Sequence, residues 1–217
     1  MSAPLDSSKV KITKNTNPSK KIPNENLTFG KYFTDHILTI QWTKDEGWGT
    51  PEIKPYGNLS LDPSACVLHY ASELFEGLKA YRTPDNKITM FRADKNMERM
   101  NKSASRICLP NFDSEELIKL IGKMIEQDKH LVPEGQGYSL YIRPTMIGTT
   151  PGLGAEIPDT VLLYVITCPV GPYYPTAFNA VKLEATDYAT RAWPGGTGNR
   201  KLGANYALCF LPHKQAI

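Results

Sequence analysis

The segment Thr160–Val170, TVLLYVITCPV, is an almost unbroken apolar run, and it constrains the fold more than any other stretch. It falls well short of the roughly 20 apolar residues that span a bilayer, and no other stretch approaches that length. Such a run reads as a central strand covered on both faces. GYSLYIRPTMIG (137–148) alternates, with Ser139, Tyr141 and Arg143 on one face and Leu140 and Ile142 on the other. KITMF (87–91) alternates as well.

Two amphipathic helices lie between these strands in the chain. In ADKNMERMNKSASRI, Met97, Met100, Ala104 and Ile107 recur at helical spacing, with Asp94 as a candidate cap. In FDSEELIKLIGKMIEQDKHLVP, Asp113 followed by Glu116 makes a capping-box-like start. Leu117, Ile118, Leu120, Ile121, Met124 and Ile125 form its apolar stripe, and Pro133 ends it. The fold class is therefore α/β (α+β). With 217 residues, 41% hydrophobic residues and a mean hydropathy of −0.36, the chain can bury a real core.

The expected organisation is a loosely ordered arm over 1–26, an α/β domain over 27–170 and a connection over 171–179. The start of a second domain follows over 180–217, where AVKLEATDY reads as another alternating strand. The net charge of +3 gives no basic footprint for nucleic acid. Cys66, Cys108, Cys168 and Cys209 form no C-x-x-C pair, so a metal site is not expected and they read as free thiols of a reducing compartment. The arginine-free start, with Asp6 and no apolar core, points to the cytoplasm, with room for a mitochondrial form made from another start.

RAWPGGTGNRKLGANY (191–206) places glycines on both sides of Lys201. A solvated surface lysine is the ordinary reading. A phosphate-binding P-loop needs Gly-Lys-Ser/Thr, whereas Arg200 and Leu202 flank this lysine. A Schiff-base lysine is the third reading: glycine turns let the backbone approach a cofactor, and Tyr206 is placed to donate a hydrogen bond to it. On spacing alone the three stay open. Arg92, Arg99 and Arg106 are likewise equal candidates for holding a phosphate.

The same segment resembles the active-site block of the branched-chain amino acid aminotransferases, pyridoxal-phosphate enzymes of fold type IV. LTFGKYFTDHILTIQW, LHYASELFEGLKAYR, ITMFRADKNMERMNKSASRICLP, SLYIRPTMIGT and VITCPVGPYY are similar to further blocks of that family, in the same order, and the likeness is strongest to fungal members. The resemblance implies a fold type IV architecture: an N-terminal mixed α/β domain and the beginning of a barrel-like second domain. It implies that Lys201 carries pyridoxal 5′-phosphate and moves protons, that Tyr206 bonds the cofactor's O3′, and that Arg99 grips its phosphate. Tyr141 and Arg143 are implied to bind substrate carboxylates, and Phe29, Tyr70 and Phe75 to wall an apolar pocket, with Tyr173 nearby. The substrates implied are leucine, isoleucine or valine with 2-oxoglutarate and glutamate, and the assembly a homodimer.

The family's carboxylate for the pyridine nitrogen belongs to a block downstream of the lysine that this sequence does not contain. A Lys201 outside a closed barrel is expected to be largely solvated, and these 217 residues alone to be inactive or nearly so. The competing expectation is a non-catalytic chain that folds by pairing with a full-length homologue.

Overall fold

The computed structural model describes residues 3–174 and 179–216. The strands are β1 (Lys11–Ile12), β2 (His36–Thr43), β3 (Gly47–Trp48), β4 (Glu52–Pro55), β5 (Glu73–Phe75), β6 (Leu78–Arg82), β7 (Ile88–Met90), β8 (Ser139–Gly148) and β9 (Thr160–Val170). The helices are α1 (Cys66–Tyr70), α2 (Ala93–Arg106), α3 (Ser114–Gln127), α4 (Ala204–Ala207) and α5 (Phe210–Gln215). One sheet runs β1-β4-β2-β9-β8-β6-β7, with β3 added to β2 and β5 to β8.

β9 is central, as its apolar run requires: antiparallel β2 pairs along one edge and antiparallel β8 along the other. Only one of its faces is fully closed, however. Val161, Leu163 and Val165 join Leu38, Ile40, Leu140 and Ile142 in the core, and the stripes of α2 and α3 (Met97, Met100, Leu117, Leu120, Ile121) seal them from water. The opposite face carries Tyr164 and Ile166 half-buried beside Tyr141 and Arg143 of β8. Coverage on both faces was expected; an open layer on this side is what leaves room for a site.

β8 changes partner midway, from β6 at Leu140–Ile142 to β5 at Thr145–Ile147. Pro144, which lacks an N–H, sits in the gap, and its carbonyl accepts the Glu76 N–H at 2.8 Å.

The helix starts differ from the sequence reading. α2 begins after Arg92, which adopts a left-handed conformation (φ 51°) and makes no side-chain cap, while Asp94 lies inside the first turn. At α3, Asp113 does cap: its Oδ1 accepts the N–H groups of Glu115 (2.9 Å) and Glu116 (3.1 Å). Glu116 does not complete a box; its Oε2 accepts the Ser7 N–H at 2.6 Å.

That contact belongs to a second difference. The segment expected to be a loose arm packs along the domain. Leu5 enters the core, β1 pairs in parallel with β4, and the Asn15 N–H donates to His36 Nε2 at 3.0 Å. This leaves the His36 proton on Nδ1, facing the buried Asp128 Oδ1 at 2.6 Å. At the other end, AVKLEATDY is not a strand: residues 180–186 have no assigned element, and among the described residues none pairs with them. Part of the expected 171–179 connection, residues 175–178, lies outside the described residues.

Candidate active site

Strand alternation builds the site wall. Leu74 points into the core, so Glu73 and Phe75 of β5 face the open side of the sheet, as do Tyr141 and Arg143 of β8. The lysine segment docks on this wall through an isolated antiparallel β-bridge. Leu202 bridges to Leu74, the Phe75 N–H donates to the Lys201 carbonyl (3.1 Å), and the Gly203 N–H donates to the Glu73 carbonyl (3.2 Å). Leu202 is 2% exposed and belongs to the core. From α2, Ser103 Oγ accepts the Lys201 N–H at 3.0 Å.

The loop before the lysine is held by the buried Asn205. Its Nδ2 donates to the carbonyls of Thr197 (2.9 Å) and Arg200 (2.8 Å), and its Oδ1 accepts from Thr197 Oγ1 (2.8 Å). The backbone around Lys201 is thus fixed by the domain it sits on, and the side chain is half-buried where a largely solvated one was expected.

A cavity of about 540 Å³ opens here, within the size range of small-molecule sites. Phe29, Phe75, Tyr141, Arg143, Lys201 and Tyr206 all line it, and so does Tyr173. Lys201 Nζ donates to the Tyr206 hydroxyl at 2.8 Å. Arg143 Nη2 donates to the Tyr141 hydroxyl at 2.9 Å. Two cations converge on one ring: Lys201 Nζ lies 4.3 Å and the Arg143 guanidinium carbon 4.4 Å from the centroid of Phe75. Phe29 packs edge-on against Tyr141 at 5.0 Å. The arrangement offers an amine beside a phenol, a cation beside a second phenol, and an aromatic floor between them. It suits a small anionic molecule with an apolar body.

Two sequence candidates fall outside that lining. Tyr70 ends α1, and its hydroxyl donates to the Leu153 carbonyl, so this chain does not bring it to the cavity. Arg99 stands on α2 and is held through Nε and Nη2 by both carboxylate oxygens of Glu76, Nη2 at 2.7 Å. Glu76 is fully buried and also accepts from Asn96 Nδ2 at 3.0 Å. The Glu76 hydrogen bonds hold the Arg99 guanidinium above its ordinary pKa, and Tyr206 is near enough to add to this. Of the other two arginines, Arg106 donates to the Gly195 carbonyl at 3.5 Å, its one hydrogen bond among the described residues, and Arg92 is exposed.

Sequence reasoning missed Glu73, Lys79 and Glu76. The i, i+2 relation to Phe75 on a strand was the signal for Glu73. Burial pushes its carboxyl above the usual carboxylate range, and Arg143 pulls the other way.

The chemistry of the donor set fits pyridoxal phosphate at its aldehyde and phenolate end. Lys201 Nζ and the Tyr206 hydroxyl stand together at the cavity, and Gly203 packs so closely that a Cβ there would lie 2.5 Å from Glu73 Oε2. Arg99 meets Glu76 through Nε and Nη2, and among the described residues Nη1 makes no hydrogen bond to it.

Comparison with known proteins gives the family of the chain and its fold. Over 214 residues the chain is 77% identical to the mitochondrial branched-chain-amino-acid aminotransferase of Saccharomyces cerevisiae, covering 99% of this chain and 54% of that protein. It is 75% identical to the cytosolic enzyme of the same yeast, covering 57% of it. The chain therefore spans a little over half the length of these curated relatives. Among solved structures, the branched-chain aminotransferase of the thermophilic archaeon Thermoproteus uzoniensis, with norvaline, has the same fold. The TM-score is 0.63 at 20% identity, over 82% of this chain and 56% of that one. A second branched-chain amino acid aminotransferase, solved in complex with N-(5′-phosphopyridoxyl)-L-glutamate, shares it with a TM-score of 0.55 at 21% identity, over 81% of this chain and 54% of that one. The family model for amino-transferase class IV matches residues 73–217, from the site strand β5 through the lysine loop, and the chain belongs to that family.

Proposed function

We propose that this chain carries the lysine-bearing portion of a branched-chain-amino-acid transaminase, which moves an amino group between leucine, isoleucine or valine and 2-oxoglutarate. One observation carries the reading: Lys201 Nζ stands 2.8 Å from the Tyr206 hydroxyl, at a cavity that combines Arg143 with an aromatic wall. The names of the similar proteins supply the substrate class, and the phosphopyridoxyl ligand of the second solved relative supports the cofactor. A homodimeric assembly belongs to the same proposal.

Pyridoxal phosphate, when bound, supplies an aldehyde for amines and a ring that accepts electrons as a Cα proton leaves. The chain's own residues do the rest. Lys201 Nζ, as a free amine, takes the proton from the substrate Cα and returns it at the next step. Tyr206 holds Nζ in position through its hydroxyl. Arg99, oriented by the two oxygens of Glu76, would hold the phosphate through its remaining N–H groups. Arg143 and the Tyr141 hydroxyl bind carboxylates, Arg143 above all the distal one of 2-oxoglutarate. Phe29 and Phe75 exclude water and accept branched side chains, with discrimination of roughly 1–3 kcal/mol per methylene.

The test is amino transfer from leucine, isoleucine and valine to 2-oxoglutarate by the protein at the length of its relatives, supplied with pyridoxal phosphate. Glutamate and the matching branched 2-oxo acids are expected, and Lys201→Ala loses both turnover and covalent cofactor. No turnover in the unsubstituted protein, or full turnover in Lys201→Ala, overturns the reading.

A further inference from the structure

The cavity is lined by three cations, Lys79, Arg143 and Lys201, and one carboxylate, Glu73. The strand that carries it is fixed in place. Glu73 pairs with Ile147 of β8, its carbonyl accepts the Gly203 N–H, and its Oε2 lies against Gly203. The carboxylate therefore stands beside the lysine loop, and Arg143 is near enough to act on its charge. Among the described residues it makes neither a hydrogen bond nor an ion pair, although it is half-buried and within the field of Arg143. The Arg143 guanidinium instead donates to the Tyr141 hydroxyl and lies over the Phe75 ring.

The transaminase reading, on which this inference rests, asks the same cavity to hold two unlike molecules in turn. One has an uncharged branched side chain, the other a second carboxylate. Over three cations and no fixed anion, the dicarboxylate would dominate, because unit charges a few ångströms apart at a partly solvated site interact strongly. A fixed negative charge beside Arg143 shifts that balance.

We propose that Glu73 is a specificity-determining residue, whose charge balances Arg143 when the bound side chain is neutral and weakens the hold on a second carboxylate. Glu73 and Arg143 then act as a pair, with the incoming dicarboxylate competing with Glu73 for the guanidinium.

The experiment compares two amino acceptors, 2-oxoglutarate and 4-methyl-2-oxopentanoate, in the protein at the length of its relatives. Glu73→Gln, nearly isosteric, is expected to raise the ratio of kcat/KM for 2-oxoglutarate to that for 4-methyl-2-oxopentanoate about tenfold, the effect of one screened charge at such range. In an Arg143→Gln background the same substitution leaves the ratio where it was. A ratio unchanged or lowered by Glu73→Gln overturns the proposal, and so does an equal rise without Arg143. Equilibrium binding of glutarate against 4-methylpentanoate, measured without cofactor, should show the same tenfold gain for glutarate. Should the unsubstituted protein fail to transaminate, the functional reading falls, while the binding ratio still decides for or against Glu73.

Discussion

Glu73 also leaves a mark on stability. Burial raises its carboxyl pKa above 4.5, the reverse of the usual carboxylate case. The folded state therefore holds the proton to higher pH than the unfolded chain does. Folding pays no penalty from this group below about the unfolded value; the penalty grows as pH rises through the folded value and is constant above it. Glu73→Gln is accordingly expected to raise Tm at pH 7, and the gain should disappear at pH 4. Thermal unfolding of the two proteins at both pH values checks this; an equal gain at both would assign it to packing. The burial of Glu73 was not legible in the sequence, because a charged residue in an alternating strand reads as solvent-facing even where its i+2 neighbour marks its face. The place of Lys201 at the cavity was not legible from spacing, since its glycine-rich surroundings fit a surface loop as well. What fixes it, the Asn205 staple and Ser103 Oγ, comes from positions 4 residues later and 98 residues earlier. The second of these separations carries no local pattern.

Among the elements, those whose signal is periodic were the readable ones. α2, α3, β7 and β8 fall where the spacing put them, because each buries one face against a partner large enough to enforce the period, and β9 falls on its unbroken apolar run. Side-chain chemistry at the ends was less readable. Asp113 caps α3 as expected, yet Glu116 is drawn off by Ser7, 109 residues away. The docking of the lysine segment on β5 was not legible either. It rests on three residues, and its anchor is Leu202, which fills the core beside Leu74. Leu202→Ala removes a nearly fully buried side chain, a change that costs about 2–5 kcal/mol where the cavity cannot close. Denaturant titration measures that loss. A second reading separates docking from global stability: amide exchange at residues 201–205 should accelerate in Leu202→Ala more than exchange in β9. Uniform acceleration would mean that the segment and the sheet unfold as one unit.

The molecule as a whole is finished on one side and open on the other. The sheet and its two long helices form a closed core, whereas Leu183 is 87%, Phe210 71% and Leu211 63% exposed in the segments that follow the sheet. Side chains of this size left in water forgo roughly 1.5–3 kcal/mol each, and such a patch normally meets another surface. The strand expected at 180–188 failed for the same reason: alternation forms a strand only where a neighbour offers a ladder, and the described residues offer none there. The curated relatives are nearly twice as long as the match, so they have chain enough to supply one. A polypeptide limited to these 217 residues should therefore bind a hydrophobic dye strongly and transaminate leucine at a small fraction of the rate of the protein at its relatives' length. Leu183→Ser with Phe210→Ser should remove most of the dye signal from the short form and destabilise the long one. Weak dye binding and a rate near that of the long form would show that the lysine loop, held by β5 and Ser103, is sufficient without a covering layer.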